Sequence, residues 1–177
     1  MHPGSQSTVS AGALATPSRL TAVLFTDVVD STTAAVRLGD AAWATLLERH
    51  NAIVRQAVRE HGGVEMDTAG DGLFAVFDDA VDALRCARAL RDALLPLGLV
   101  LRAGVHAGHC WTADGKCAGA DVHVGARLAH EAKPGEILAS EEVAALAAPA
   151  GMRFADAGVV RLKGFEEPRR LFVLTEG

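Results

Sequence analysis

Two aspartates in this sequence, Asp27 and Asp71, occupy places where a divalent cation could bind. Asp27 follows an apolar, strand-like run at 20–25, and Asp71 forms the tip of a Gly-Asp-Gly turn between two short apolar runs. If that hairpin pairs beside the first strand, the two carboxylates stand next to each other. Converging carboxylates suit hard cations and can hold two ions about 4 Å apart. Taken singly, each aspartate is also typical of a turn or a helix cap.

A predicted helix start follows the first aspartate. Asp30, Ser31 and Thr32 are residue types that cap helices, and a helical pattern begins directly after them. The free amides and the positive end of a helix N-terminus attract anions such as phosphate. The stretch 24–32 therefore combines a ligand for a cation with a site for an anion. The alternative is a strand–helix turn in which Asp27 only caps the helix.

These stretches resemble the metal motifs of the class III nucleotidyl cyclases, the adenylyl and guanylyl cyclases. The resemblance runs from about residue 20 to the C-terminus, with the motifs in matching order. Six segments carry it: 25–32, 70–72, 101–108, 122–127, 134–140 and 162–164. The chain is therefore similar to a catalytic domain of that family, of the bacterial type.

The resemblance implies a role for each matching residue around the metals. Asp27 and Asp71 match the two metal carboxylates, and the Val28 carbonyl matches a backbone ligand, so that two Mg²⁺ or Mn²⁺ ions would be held there. The amides around 30–32 would bind the terminal phosphates of a nucleoside triphosphate. Asp30 stands where the family commonly has glycine, which is tolerable if its side chain caps the helix and points away from phosphate.

The resemblance also implies roles for four residues further along the chain. Arg127 matches the arginine that stabilises charge on the α-phosphate in the transition state. His123, four residues earlier, takes the place of an asparagine that orients the ribose. Arg102 and Lys163 match basic residues that contact the triphosphate. Without the resemblance, they would be interpreted as a cation on a strand surface and a turn residue.

The residues expected to read the purine depart from the family pattern. Asp67 stands where adenylyl cyclases carry Lys and guanylyl cyclases carry Glu, and Lys116 stands where adenylyl cyclases usually carry Asp. Asp67 only accepts hydrogen bonds and Lys116 only donates them, which matches the donors and the O6 acceptor of guanine. We expect GTP to be accepted at least as well as ATP. Alternatively, the pair forms a salt bridge that fills the pocket, or the site is decayed, or Asp114 or Asp121 is the partner of Asp67.

Composition limits the possible classes of protein. The 177 residues are half hydrophobic and carry a net charge of -5, which argues against a broad nucleic-acid surface. No apolar run is long enough to contact or cross a membrane, and three cysteines fit a reduced, cytoplasmic protein better than a disulfide framework. Residues 1–18 have the composition of a disordered tail or linker, so we expect one domain over 19–177.

Periodicity predicts the elements that position these residues. Helical patterns cover 31–61, with an interruption near 39–40, then 80–94, 122–131 and 140–147. Strands are expected at 20–25, around the 70–72 turn, at 99–108 and 136–139, and as a closing antiparallel pair at 152–164 and 170–174. The stretch 109–121 is polar, and in the resembled family it forms a hairpin arm that reaches the partner subunit. The expected fold is α+β, a ferredoxin-like, palm-type sheet rich in antiparallel pairs with helices packed on it.

Two functions remain open from the sequence. The first is a homodimeric cyclase that converts a purine nucleoside triphosphate at active sites shared between subunits, because one chain carries residues that serve one site from opposite subunits in the family. The second is a weak or inactive cyclase-homology domain that binds nucleotide or regulates a neighbour through dimerisation. A diguanylate cyclase is excluded, since its Gly-Gly-Asp/Glu-Glu-Phe signature is absent.

Overall fold

The computed structural model describes residues 19–68, 70–113 and 116–175, without the side chains of 112, 113 and 116. The described residues form eight strands and five α-helices. The strands are β1 (Arg19–Val28), β2 (Val64–Asp67), β3 (Leu73–Phe77), β4 (Leu101–Ala113), β5 (Lys116–Ala118), β6 (Ile137–Ser140), β7 (Phe154–Val160) and β8 (Arg169–Leu174). The helices are α1 (Ser31–Leu38), α2 (Asp40–Glu60), α3 (Ala80–Leu94), α4 (Ala120–Glu131) and α5 (Glu141–Ala147). The stretch 1–18, predicted as a tail, lies outside the described residues.

The strands form a mixed sheet in the order β2-β3-β1-β4-β6-β8-β7, and β5 pairs with the far end of β4. Among the described strands only β4 and β6 pair in parallel, and the other neighbours are antiparallel. The predicted α+β, palm-type architecture is confirmed. The long β1–β4 pairing, from Arg19 opposite Cys110 to Val28 opposite Leu101, forms the centre of the sheet.

One face of the sheet is covered by α2, α3 and α5. Alternate residues of β1 point toward this layer, because side chains along a strand alternate between the two faces. Ala22, Leu24 and Val28 belong to the large core cluster on this side, together with apolar residues of the three helices. Burial of these aliphatic side chains is the main favourable contribution to folding, at about 25 cal/mol for each Å² of apolar surface.

The opposite face carries α4, which lies against β1 and β4. Two glycines permit the close approach of this helix. A Cβ added at Gly104 would overlap the backbone nitrogen of Ala129, and one added at Gly125 would lie 2.6 Å from a methyl group of Val23. Buried Val124 and Leu128 then pack with Leu138, Leu162 and Leu171 in a second core cluster. The position of α4 is therefore fixed by packing on the sheet.

On the same face as α4, the surface of the sheet formed by β1, β3 and β2 is next to the helix. The rings of Phe25 and Phe74 stack there with centroids 4.4 Å apart, and Met66 lies beside them. These three side chains are only partly buried, and they pack with the cysteines of the β4–β5 hairpin, Cys110 and Cys117. The described chain thus leaves a partly apolar sheet surface open next to the hairpin.

Most predicted elements are confirmed, with shifted boundaries. The helical pattern at 31–61 forms α1 and α2, separated at Gly39, and the hairpin around 70–72 forms β2 and β3. The strand predicted at 99–108 extends to Ala113, because β5 supplies a pairing partner beyond the edge of the main sheet. The predicted excursion at 109–121 is therefore a hairpin followed by the first turn of α4. Among the described residues, no helix is long and apolar enough to cross a membrane.

Candidate active site

Asp27 and Asp71, the two carboxylates predicted to bind metal and called the metal-type carboxylates below, lie at the same end of β1. Asp27 is the second-last residue of β1, and Asp71 lies in the turn between β2 and β3. Antiparallel pairing of β1 with β3, with Thr26 opposite Leu73, places that turn against the strand end. The Val28 amide donates to Oδ2 of Asp71 over 3.3 Å. The structure therefore places Asp27, Val28 and Asp71 at one end of the sheet, and their role as metal ligands stays a prediction.

An arginine on the neighbouring strand binds the first of these carboxylates. Asp27 stands opposite Arg102 in the β1–β4 register, and Oδ2 of Asp27 accepts from Nη2 and Nε of Arg102 over 2.5 and 2.9 Å. Nη1 of Arg102 donates to the His130 carbonyl near the end of α4, over 3.2 Å. The Asp27 side chain remains 40% exposed. Arg102 thus neutralises Asp27, and a cation binding there must displace or share this partner.

The donor atoms at this end of the sheet fit a hard divalent cation. Two carboxylates and a nearby backbone carbonyl are oxygen ligands of the kind that Mg²⁺ and Mn²⁺ prefer. In the described ranges no group of three or more His, Cys, Asp and Glu side chains is placed to hold a metal. Asp27 and Asp71 therefore form a partial ligand set, which a phosphate substrate and water would complete, as is usual for Mg²⁺.

The start of α1 has an unusual backbone. Asp30 precedes the helix with φ 53° and ψ 30°, and it is the one residue other than glycine with positive φ in the described part of the chain. A side-chain cap was the condition for tolerating the Asp30 charge beside phosphate, and the side chain makes no capping hydrogen bond. In the left-handed conformation the Asp30 carbonyl still accepts from the Ala34 amide. The amides of Ser31 and Thr32 are consequently left without a side-chain cap, which suits an anion.

A second group of predicted site residues lies on and beside α4. His123 and Arg127 are four residues apart and share one face of the helix; His123 is exposed and Arg127 is partly buried. Lys163 is exposed and follows Leu162, which is anchored in the core cluster under α4. Within the described residues, no side-chain hydrogen bond or ion pair joins His123, Arg127 or Lys163 to the metal-type carboxylates.

The residues expected to contact the purine lie near an open cleft. Asp67, at the end of β2, is exposed and lines this cleft together with Met66, Phe74 and Cys117. Lys116 begins β5 directly before Cys117, and its side chain is outside the described set. Asp114, one alternative partner of Asp67, is also outside it. The other alternative, Asp121, bonds instead to His106 and to the His109 amide.

A sequence model described as "Adenylate and Guanylate cyclase catalytic domain" matches residues 15–176. The chain belongs to that family. It is 30% identical over 159 residues to the Rhizobium meliloti protein named "Putative adenylate cyclase 3", a match that covers 85% of this chain and 27% of that protein. The cyclase domain thus spans about a quarter of the length of this curated relative.

Solved structures have the same fold as this cyclase domain. The adenylyl cyclase CyaB from P. aeruginosa superposes with a TM-score of 0.86 at 23% identity, over 93% of this chain and 97% of that one. The guanylate cyclase domain of RhGC from Catenaria anguillulae, in complex with GTP, superposes with a TM-score of 0.79 at 17% identity, over 92% and 98%. The resemblance inferred from the motifs and the palm-type fold are both confirmed.

Two features of the cyclase domain were not predicted. The ion pair between Arg102 and Asp27 was missed because the register of β1 against β4 cannot be predicted from the sequence of either strand alone. The contacts of His106 with Asp121 and Ser140 were missed because they depend on how α4 and β6 lie against β4. Alternation along β4 does place Arg102 and His106 on one face, and that was the signal available in the sequence.

Proposed function

We propose that this cyclase domain converts a purine nucleoside triphosphate to the 3′,5′-cyclic monophosphate and pyrophosphate, with two Mg²⁺ or Mn²⁺ ions, in a homodimer. The convergence of Asp27, Val28 and Asp71 at the end of β1 supports this proposal most directly. Such an oxygen-rich strand end, beside a helix start whose amides are not capped, offers ligands for both cation and phosphate.

The proposed reaction is an in-line attack by the ribose 3′-hydroxyl on the α-phosphorus. Bound divalent ions would lower the pKa of that hydroxyl and offset charge on the triphosphate. Asp27 and Asp71 would hold the ions and so fix the triphosphate at the end of β1. Amides at 31–32 would bind terminal phosphate oxygens. Arg102 would move from Asp27 to the triphosphate, so that its charge remains paired in both states.

Three residues on and beside α4 would act on the reacting centre: His123, Arg127 and Lys163, which we call the α4 group. Arg127 would donate to the α-phosphate oxygens, where negative charge grows in the transition state. His123, on the same helix face, would orient the ribose by a hydrogen bond, and Lys163 would contact the phosphates. These three side chains project from α4 or its neighbouring loop without bonds to other described side chains. They are therefore free to engage a substrate.

Assembly as a homodimer explains why the two groups occur in one chain. The Phe25–Phe74 stack and Met66 leave an open, partly apolar sheet surface beside the β4–β5 hairpin, where Trp111 is 46% exposed. A second copy seated on this surface would bury it and could bring the α4 group of one subunit to the metal-type carboxylates of the other. A symmetric dimer of this kind has two such sites.

A direct assay tests the proposed reaction. The purified domain is incubated with Mn²⁺ or Mg²⁺ and with ATP or GTP, and the cyclic nucleotide and pyrophosphate are quantified. We expect equal amounts of both products, dependence on the metal, and specific activity that falls on dilution because the dimer dissociates. A Lys133→Ala variant, changed at an exposed side chain to which no role in the reaction is assigned, serves as the control. Metal-independent turnover, or product without pyrophosphate, would contradict the proposal.

Base preference is proposed from Asp67 and Lys116. An acceptor at Asp67 suits the N1 and 2-amino donors of guanine, and each polar group that substrate binding buries and the wrong base leaves unpaired costs about 1–3 kcal/mol. We expect the double variant Asp67→Lys, Lys116→Asp to use ATP better and GTP worse than the parent. A parent enzyme that uses ATP efficiently and ignores GTP would contradict this assignment.

The second candidate is a nucleotide-binding or regulatory dimerisation domain with little or no turnover. The exchanged charges at Asp67 and Lys116, histidine at 123 and the charge of Asp30 favour it. The two functions are separated by calorimetric titration with a 3′-deoxynucleoside triphosphate, which lacks the attacking hydroxyl, alongside the assay. Binding and dimerisation without cyclic product, across both purines and both metals, would establish the second candidate.

A further inference from the structure

A buried polar cluster lies between β4 and the start of α4. Nδ1 of His106 is 2.9 Å from the Ser140 hydroxyl, and Nε2 is 3.3 Å from Oδ1 of Asp121. The His106 side chain is only 2% exposed. These contacts connect a central strand, the end of β6 and the first turn of α4. The cluster takes no part in the chemistry proposed above, so its position needs another explanation.

The cluster is satisfied by a neutral imidazole. Burial lowers the pKa of His106 below its usual value, although the hydrogen bond with Asp121 opposes that shift. A neutral ring has one N–H, which donates from Nε2 to Asp121, while Nδ1 accepts from the Ser140 hydroxyl. Glu142 lies 3.7 Å from Nδ1 and also pairs with Arg169, so these two charges partly offset each other. Every polar atom of the ring therefore has a partner.

The Asp121 carboxylate is held from two further sides. Its second oxygen accepts from the His109 amide over 2.7 Å, at the point where β4 leaves the main sheet. A Cβ added at Gly108 would overlap this carboxyl group, so the absence of a side chain at Gly108 provides the space that it fills. His106, Gly108 and His109 of β4 and Asp121 of α4 together form what we call the α4 clamp. Three residues of one strand thus fix one side chain of the helix.

The position of the clamp connects it to the proposed active site. Asp121 lies in the first turn of α4, two residues before His123 and six before Arg127. The hydrogen bond from the His109 amide to Asp121 also holds the base of the β4–β5 hairpin, which carries Lys116. We propose that the α4 clamp is a positioning device that sets the α4 group and the hairpin at the distances required for turnover. This inference rests on the proposed function and concerns the α4 half of the site.

The clamp predicts a particular kinetic defect. Asp121→Ala should lower kcat by about 100-fold, because displacements near 1 Å at a reacting centre have effects of that order. Binding of Mn²⁺, measured by electron paramagnetic resonance, should be unchanged, since Asp27 and Asp71 stand on other elements. Asp121→Asn should recover part of kcat because its carbonyl can still accept from the His109 amide. Glu142→Gln, altered on the other side of the imidazole, is the matched control and should keep wild-type kcat.

Subunit mixing assigns the defect to one half of the site. Asp121→Ala mixed with Asp27→Ala should regain activity, because a mixed dimer then contains one site with an intact clamp and intact carboxylates. Asp121→Ala mixed with Arg127→Ala should regain none, since both changes affect the same half. The opposite pattern, or an equal loss of metal binding and kcat, would overturn the clamp proposal. If Asp121→Ala does not fold, as judged by thermal melting, the activity of Asp121→Asn is measured in the same two mixtures.

A mixture of Asp27→Ala with Arg127→Ala separates this inference from the proposed function. Recovery in that mixture supports shared sites whatever the clamp does. If it fails in subunits proven to exchange, the shared site is wrong, and the clamp is then judged by kcat against Mn²⁺ affinity in the Asp121 variants alone. A kcat loss with unchanged metal affinity supports the clamp in that case, and an unchanged kcat rejects it.

Discussion

The metal-type carboxylates and the α4 group occupy different physical settings within one chain. At the end of β1, Asp27 is bonded to Arg102, and Asp71 is bonded to the Val28 amide, so strand pairing alone assembles the cluster. On α4, by contrast, His123 and Arg127 make no side-chain bonds to other described residues. Only the scaffold beneath them is fixed, by glycine-mediated packing and by the α4 clamp. The first region is assembled within the chain, whereas the second presents side chains that still need a counterpart.

The largest effect should follow removal of a carboxylate from the β1 end. Asp27→Ala or Asp71→Ala should lower turnover by on the order of 10³-fold or more, because the ions that stabilise the transition state lose a ligand. Thermal stability should change little, since both side chains lie at an open cleft. Turnover and Mn²⁺ binding are measured together on both variants. Near wild-type rates in either variant would show that this region is not the metal half of the site.

A smaller effect in the same region concerns Arg102, the positively charged side chain that is bonded to Asp27. Arg102→Ala should bind Mn²⁺ about fivefold more tightly, because a partly exposed ion pair such as the one with Asp27 is worth about 1 kcal/mol. The KM for the triphosphate should rise in the same variant. Arg102→Lys, which keeps the charge, is the control for metal affinity. Weaker Mn²⁺ binding by Arg102→Ala would contradict the view that Arg102 and the ions compete for Asp27.

A pH dependence probes the scaffold of the second region. Because burial lowers the pKa of folded His106, the unfolded chain takes up the proton first as the pH falls below about 6.5. The free energy of unfolding should thus be constant with respect to this group above that pH and fall below it. Glu142, Asp121 and Arg169 also face the imidazole, so the comparison is made with His106→Gln. Urea unfolding of that variant between pH 5.5 and 7.5 should show a shallower fall than the parent.

Exposed His123 provides the control for this pH dependence. His123→Gln removes a histidine from the same region without removing a buried group, so the parent pH profile should persist. If His106→Gln and the parent lose stability equally on acidification, the neutral imidazole is not what holds the start of α4.

The smallest effect concerns the backbone beside the carboxylates. Asp30→Gly relieves a left-handed conformation that costs about 1–2 kcal/mol in other residues, while glycine loses about 0.5–1 kcal/mol through the flexibility of the unfolded chain. The net gain in the free energy of unfolding should be at most about 1.5 kcal/mol. Asp40→Gly, at the start of α2, is the matched control and should lose stability. A loss in both variants would show that Asp30 is not strained.

The sequence predicted most of the first region and less of the second. Local signals located the ends of β1 and the turn at Asp71, and one strand pairing was enough to join them. The contacts of Arg102 with Asp27 and of His106 with Asp121 depend on how far strand β4 slides against β1 and where α4 rests. The first is set by the β1–β4 register, and the second by packing at Gly104, Gly108 and Gly125, and no local pattern reports either. The capping hydrogen bond that would make the Asp30 charge tolerable beside phosphate is absent, and the Asp30 backbone is left-handed.

Mixing of two inactive variants tests the central claim, that the two regions of one chain serve different sites in a dimer. Asp27→Ala and Arg127→Ala are purified separately, shown to be folded and inactive, and combined under conditions in which subunit exchange is verified. One of the two sites in each mixed dimer then contains only wild-type residues, so cyclic nucleotide production should rise to about a quarter of the wild-type rate after random exchange. Activity that stays at the level of the separate variants, despite proven exchange, would contradict the account.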